Sequence, residues 1–154
     1  MGILSVIAHI VCLGLFAYAA VHDIRTRTIP NWCNIAIAAV GLVAWLLGLD
    51  IPANGGVVLG DRLMGAVLCG GPFLLATLGG AAIGAGDGKF LAAAGFVLGM
   101  RYGFAGLAVG VLAAGAHALY KKNVEGASGD TTFAFGPYLA AGMALALLAG
   151  PVLF

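Results

Sequence analysis

Apolar positions in this chain come in long runs. Six stretches, roughly 3–21, 32–49, 63–83, 88–101, 102–119 and 136–154, are almost wholly hydrophobic. Polar residues gather between them, at His22–Asn31, Asp50–Arg62, Gly84–Gly88, near Arg101 and over Tyr120–Phe135. A helical run of about 20 apolar residues matches the ~30 Å hydrocarbon core of a bilayer. The pattern predicts an all-α polytopic membrane protein, a bundle of about six transmembrane helices forming one domain over residues 1–154. The fourth run is short, because residues 88–101 would rise only about 21 Å as a helix. Either it starts below the membrane surface, or 88–119 is one long tilted helix. Arg101 favours a turn, since an arginine at mid-bilayer is costly unless it reaches the interface.

Composition sharpens this picture. Hydrophobic residues make up 62% and charged residues 8% of the chain. A soluble domain carries about 25% charged residues and could not cover its surface with so few. The net charge of +1 offers no basic patch for nucleic acid. Six spans would put Arg25, Arg27, Lys89, Lys121 and Lys122 on one side, and Arg62 and Arg101 on the other. The positive-inside rule then makes the first side cytoplasmic and both termini outward, N-out and C-out. Ala17-Tyr18-Ala19 mimics a signal-peptidase site, but no basic residue precedes the first run, so a retained span is expected.

Other features read as architecture. Cys12, Cys33 and Cys69 form no CxxC pair and read as small buried hydrophobes. Gly95, Gly99 and Gly103, like Gly106 and Gly110, repeat at four-residue spacing. Such spacing lets helices approach closely in lipid, for packing within the bundle or for a groove that takes another helix. Packing within the bundle is the simpler reading. Pro72 predicts a kink in the third span.

The chain has six acidic residues. Asp50 and Asp61 flank a Pro/Gly loop and read as solvated loop ends; Glu125 and Asp130 lie in a polar loop. Asp23 and Asp87 differ, because each sits where an apolar helix meets the same membrane face. An ionisable group at such a depth is a functional candidate, with a plain helix boundary as the alternative. Two carboxylates brought together cannot both ionise easily, so such a pair shares a proton. One member then activates water against a peptide carbonyl, and the other donates to the carbonyl oxygen. No dispersed histidine (His9, His22, His117) falls into a metal-binding spacing, and no metal or cofactor is expected. Ser128 in Gly126-Ala127-Ser128-Gly129 resembles a rhomboid serine, but no histidine follows it. Gly84–Lys89 is not a phosphate loop, because Ile83 and Phe90 break that pattern.

Three motifs carry a resemblance. Asp23-Ile24-Arg25-Thr26-Arg27-Thr28-Ile29-Pro30-Asn31 resembles the D-x-R-x-x-x-I-P-N motif of type IV prepilin peptidases. Gly84-Ala85-Gly86-Asp87-Gly88-Lys89 is similar to their G-x-G-D-x-K motif, shared in part with presenilin-like proteases. Phe135-Gly136-Pro137-Tyr138-Leu139 resembles the stretch that opens their last span. The resemblance implies a membrane GxGD-type aspartyl protease of the inner (cytoplasmic) membrane, with Asp23 and Asp87 catalytic and no metal needed. It implies a prepilin or pseudopilin substrate, with one apolar helix and a basic leader, cut at the cytoplasmic face. The cysteine-bearing domain that methylates the product in many relatives has no counterpart here, so methylation is not expected. The compact length resembles the stand-alone peptidases of Flp-type pili.

Supporting residues are read alongside the motifs. Arg25 or Lys89 would tune a carboxylate or hold substrate, or simply anchor at lipid headgroups. Pro30 suits the start of the second span. Asn31 is expected to cap that helix or touch substrate, and Trp32 to sit at the interface. Gly84, Gly86, Gly136 and Pro137 complete the motif positions. A small transporter and a non-catalytic scaffold are the competing classes; neither has an evident need for the D-x-R-x-x-x-I-P-N segment.

Overall fold

In the computed structural model, residues 2–49, 51, 58–80, 84–124 and 134–153 are described. Among them the secondary structure is helical throughout: α1 (Ile3–Thr26), α2 (Asn31–Leu46), α3 (Leu59–Leu78), α4 (Ala85–Val124) and α5 (Gly136–Leu153). Helix is the form an apolar run takes in lipid, because it satisfies every backbone N–H and C=O within the segment. α1, α3 and α4 are long and apolar enough to cross a membrane; α2 and α5 are apolar but shorter. The outward faces are apolar too: Ile3, Leu78 and Val152 are more than 80% exposed, at 81%, 85% and 86%. In water such surface would drive association. Facing lipid it costs nothing.

Five helices therefore replace the six expected from the apolar runs. The difference lies in α4, which carries both the fourth and fifth runs. Its helix is interrupted at Gly99, with φ 76° and ψ 178°. Only glycine adopts that backbone without strain. The break falls two residues before Arg101, where the turn was expected. A Cβ placed on Gly103 would lie 3.2 Å from the Gly95 Cα. Those residues would be about 12 Å apart in a continuous helix. The chain thus doubles back at Gly99, and α4 is a hairpin of two arms.

The first arm packs on α3, where Gly65 meets Gly95 and Gly70 meets Ala92. The second arm packs on α5, where Gly106 meets Gly142 and Gly110 meets Tyr138. The glycine spacing thus serves close packing inside the bundle. α2 lies on the first arm, with Gly41 against Phe96 and Val97. α1 packs on α2 and α5. Phe16 of α1 meets Phe90 edge-on, with ring centroids 5.5 Å apart. The core gathers here, with Cys12, Cys33, Ile37, Cys69, Leu98 and Met143 fully buried. All three cysteines are free and buried. Pro72 lies inside α3 without ending it.

The Gly99 turn is held by residues that the sequence placed in a loop. Asp61 and Arg62 belong to the first turns of α3. Arg62 is fully buried. Its Nη1 donates to the carbonyls of Phe96 and Val97, at 3.2 and 2.9 Å, and its Nη2 to that of Ile51, at 3.4 Å. Carbonyls 96 and 97 end the first arm, where helix carbonyls lack partners and the dipole favours a cation. Asp61 Oδ2 accepts from the Met100 N–H at 3.3 Å. That N–H opens the second arm. Asp61 is thus a helix-end acceptor rather than a solvated loop end. Asp50, Glu125, Ser128 and Asp130 lie outside the described residues.

Candidate active site

The site forms where four helix ends meet. α1 continues past the expected boundary, so Asp23 sits inside its last turn. The helix stops at Arg27, which takes a left-handed conformation (φ 55°) and donates its N–H to the Asp23 carbonyl at 2.8 Å. His22 fastens the turn that follows. Its Nδ1 is 2.7 Å from the Thr28 carbonyl, and Thr26 Oγ1 donates to the His22 carbonyl at 2.9 Å. The chain then passes Ile29 and enters α2 after Pro30, whose carbonyl accepts from the Cys33 N–H at 3.1 Å. Pro30 flanks the helix start, where its fixed φ is favourable. His22 was set aside in the sequence; no motif marks its role, which depends on a turn six residues away.

Asp87 lies in the first turn of α4. Its N–H donates to the Gly84 carbonyl at 3.0 Å. A carboxylate at a helix N-terminus is favoured by the unpaired N–H groups there. Asp23 receives the same help from another helix: the N–H of Gly136, first residue of α5, donates to Asp23 Oδ2 at 3.0 Å. A Cβ on Gly136 would come within 2.6 Å of that oxygen, so only glycine permits this contact. Pro137 follows in the first turn, where a missing N–H is harmless.

The contacts of Gly86 with Ile29 and of Gly136 with Asp23 bring the two carboxylates into one neighbourhood. The charge of Asp23 acts on Asp87. Both residues are buried, at 5% and 9% exposure. Among the described residues no side chain or backbone group donates a hydrogen bond to the Asp87 carboxylate. Gly86 lets the two motifs touch, since its Cα faces the Ile29 backbone closely enough that a Cβ would lie 3.2 Å from Ile29 N. Gly84 sits beside the Asp87 carboxylate, 3.3 Å from a Cβ built there.

The supporting residues divide. Lys89 Nζ donates to Asn31 Oδ1 at 3.0 Å and so ties α4 to α2. Asn31 was expected to cap α2 or to touch substrate; it is the first helical residue and makes no side-chain cap. Its oxygen is taken by the lysine instead. Arg25 is exposed. The arginine of this motif whose charge acts on Asp23 is Arg27. Trp32 is half exposed and lies against Tyr18, with ring centroids 5.0 Å apart. No metal-binding cluster occurs among the described residues.

Packing registers fix the level of the pair. The Gly95–Gly103 contact puts Asp87 level with residue 111 of the second arm. The Gly106–Gly142 and Gly110–Tyr138 contacts put Gly136 level with residue 112. Two independent interfaces thus bring Asp87 and the partner of Asp23 to one height. The second arm runs on from there to Lys121, ten residues or about 15 Å further.

Three segments far apart in sequence therefore converge on two aspartates. No curated protein and no solved structure matches the chain. The type IV leader peptidase family matches it over residues 10–119, which takes in the first two motifs and leaves Phe135–Leu139 beyond the matched stretch. With more than half of its length matched in this way, the chain belongs to the type IV leader peptidase family.

Proposed function

We propose that this protein is an aspartyl endopeptidase that removes the leader from type IV prepilins, with Asp23 and Asp87 as its catalytic pair. The observation that carries this reading is the approach of Asp87 to Asp23, brought about by contacts between all three motifs. Each carboxylate sits at a helix N-terminus, so each can hold negative charge in a low-dielectric setting.

The chemistry follows from one shared proton. The ionised carboxylate takes a proton from water as the water oxygen bonds to the scissile carbonyl carbon. The protonated carboxyl gives its proton to the carbonyl oxygen, leaving a neutral gem-diol. Collapse breaks the C–N bond. The proton held by the first carboxylate passes to the leaving amine, and one diol hydroxyl returns a proton to the second. The pair ends as it began, with no metal required.

Membrane placement belongs to the same proposal. The two α4 arms cross separately, giving six crossings in a multi-pass inner-membrane protein with both termini outward. Arg25, Arg27, Lys89, Lys121 and Lys122 then face the cytoplasm. The burial of Arg62 against backbone carbonyls supports this, since it leaves Arg101 as the only exposed cation among described residues at the opposite end. Cleavage occurs at the cytoplasmic face, with the pair below the level of Lys121. The substrate is a prepilin of Flp type.

Co-expression with candidate Flp-type and other type IV prepilins, followed by N-terminal sequencing of the product, tests the assignment. A new N-terminus directly after the basic leader is expected. Intact precursor with every candidate, from protein shown to be inserted and folded, would overturn it.

A further inference from the structure

The cleft between α2 and α3 has no part in holding the aspartates. Both helices pack on the first arm of α4 but not extensively on each other. The gap is a cavity of about 570 Å³. Its mouth is formed by Asn31 and Lys89, beside the candidate pair, and Ala66, Ala92 and Ala93 line its depth. Ile35, which lines it, is apolar and 68% exposed, so the cleft opens sideways toward lipid.

Asn34 also lines this cleft. It is 7% exposed, and both its Oδ1 and Nδ2 are buried with no hydrogen-bond partner among the described residues. A buried carboxamide left unpaired is destabilising, because its donor and acceptor have given up water without replacement. Such a group calls for a partner that offers a donor and an acceptor together. Small residues on the floor let a helix approach closely. A segment lying there against lipid must be helical to satisfy its own backbone, so only a side chain is left to meet Asn34.

We infer that this cleft holds the apolar helix of the substrate, and that Asn34 reads one carboxamide or carboxyl side chain on it. The inference rests on the peptidase reading above. Asn34 is one turn further along α2 than Asn31, which Lys89 places two residues from Asp87. The matching side chain therefore sits about one to two helical turns past the cleaved bond. Asn34 is a specificity residue in this account, and the lipid-facing opening is the route by which the substrate enters.

The test uses the full chain in membranes with synthetic substrates, each a basic leader joined to an apolar helix of about 20 residues. A single Gln is moved along positions 2 to 9 after the cleavage point. One register is expected to be cleaved about tenfold better, by kcat/KM, than the all-apolar helix, equivalent to about 1.4 kcal/mol. In Asn34→Leu that ratio should fall to about one. A flat profile, or a peak that survives Asn34→Leu, overturns the inference. A photo-crosslinker at Ala66 in the Asp87→Asn protein gives a readout that needs no catalysis. An adduct with the substrate helix is expected; adducts only with lipid or with a second copy of the chain overturn it. Cross-linking without any cleavage by the native protein would reject the peptidase reading and keep the groove.

Discussion

At one end of the first α4 arm, Asp87 sits beside Asp23 with no hydrogen bond to its carboxylate among the described residues. At the other end, Asp61 and Arg62 meet the Gly99 turn, and their polar atoms are taken up by Met100 N–H and by the carbonyls of Ile51, Phe96 and Val97. Both ends combine glycine, aspartate and a helix terminus. The Gly99 end uses its charges to finish two helices. The Asp87 end uses one backbone N–H, that of Gly136, to hold Asp23 and leaves the Asp87 carboxylate without a donor among the described residues. Charge near a helix end thus says little by itself; what distinguishes the ends is whether the polar atoms are consumed by the fold.

The sharpest way to break this contrast is to remove the charge at each end in turn. Asp87→Asn and Asp23→Asn each keep size and lose the ability to exchange a proton. Each is expected to lower leader cleavage by about 10³-fold or more with insertion and thermal stability close to native. Assays of kcat/KM beside a melting curve in detergent check this. Substantial activity in either variant would reject the pair.

Arg62→Met should do the reverse. It strands two buried carbonyls at the end of the first arm, and a cost of about 3 kcal/mol is expected, read as loss of folded protein in membranes. The molecules that do fold should retain cleavage activity. Normal stability would mean that Arg62 does not hold the turn.

Gly136→Ala lies between these cases. The added Cβ would meet Asp23 Oδ2 at 2.6 Å and Cγ at 2.8 Å, so the carboxylate must move. Displacing a reacting group by a fraction of an ångström should lower kcat by about 10- to 100-fold, with little change in KM. An unchanged kcat would show that the Gly136 N–H does not position Asp23.

How much of this was legible in sequence follows from the same residues. Asp23, Asp87 and Gly136 stood out because motifs mark them and because charges are scarce. The helices themselves were legible as apolar runs, with ends misplaced by a few residues; α3 starts early enough to take in Asp61 and Arg62. The turn was expected at Arg101, where the charge is, yet it lies at Gly99, where the positive φ is. A run of apolar residues hides a turn when its only marker is one glycine among many. Arg62 and Asn34 were illegible for a related reason. The carbonyls that Arg62 meets are gathered by the hairpin, and the cleft beside Asn34 exists only because α2 and α3 share the first arm while packing little on each other.

Asp61 offers the smallest effect and the closest test of the contrast. Its oxygen accepts the Met100 N–H, one of the unpaired donors at the start of the second arm. Asparagine and aspartate serve such positions about equally well, and alanine does not. Asp61→Asn should therefore be near neutral, and Asp61→Ala should cost about 1 kcal/mol, read as a lowered melting temperature in detergent. In both variants cleavage per folded molecule should equal that of the native protein. That outcome would place Asp61 wholly on the structural side, whereas the same Asp→Asn change at Asp87 is expected to remove the reaction and leave the fold. A loss of specific activity in Asp61→Asn would show that the two ends of the first arm are coupled, and that the Gly99 end does more than finish two helices.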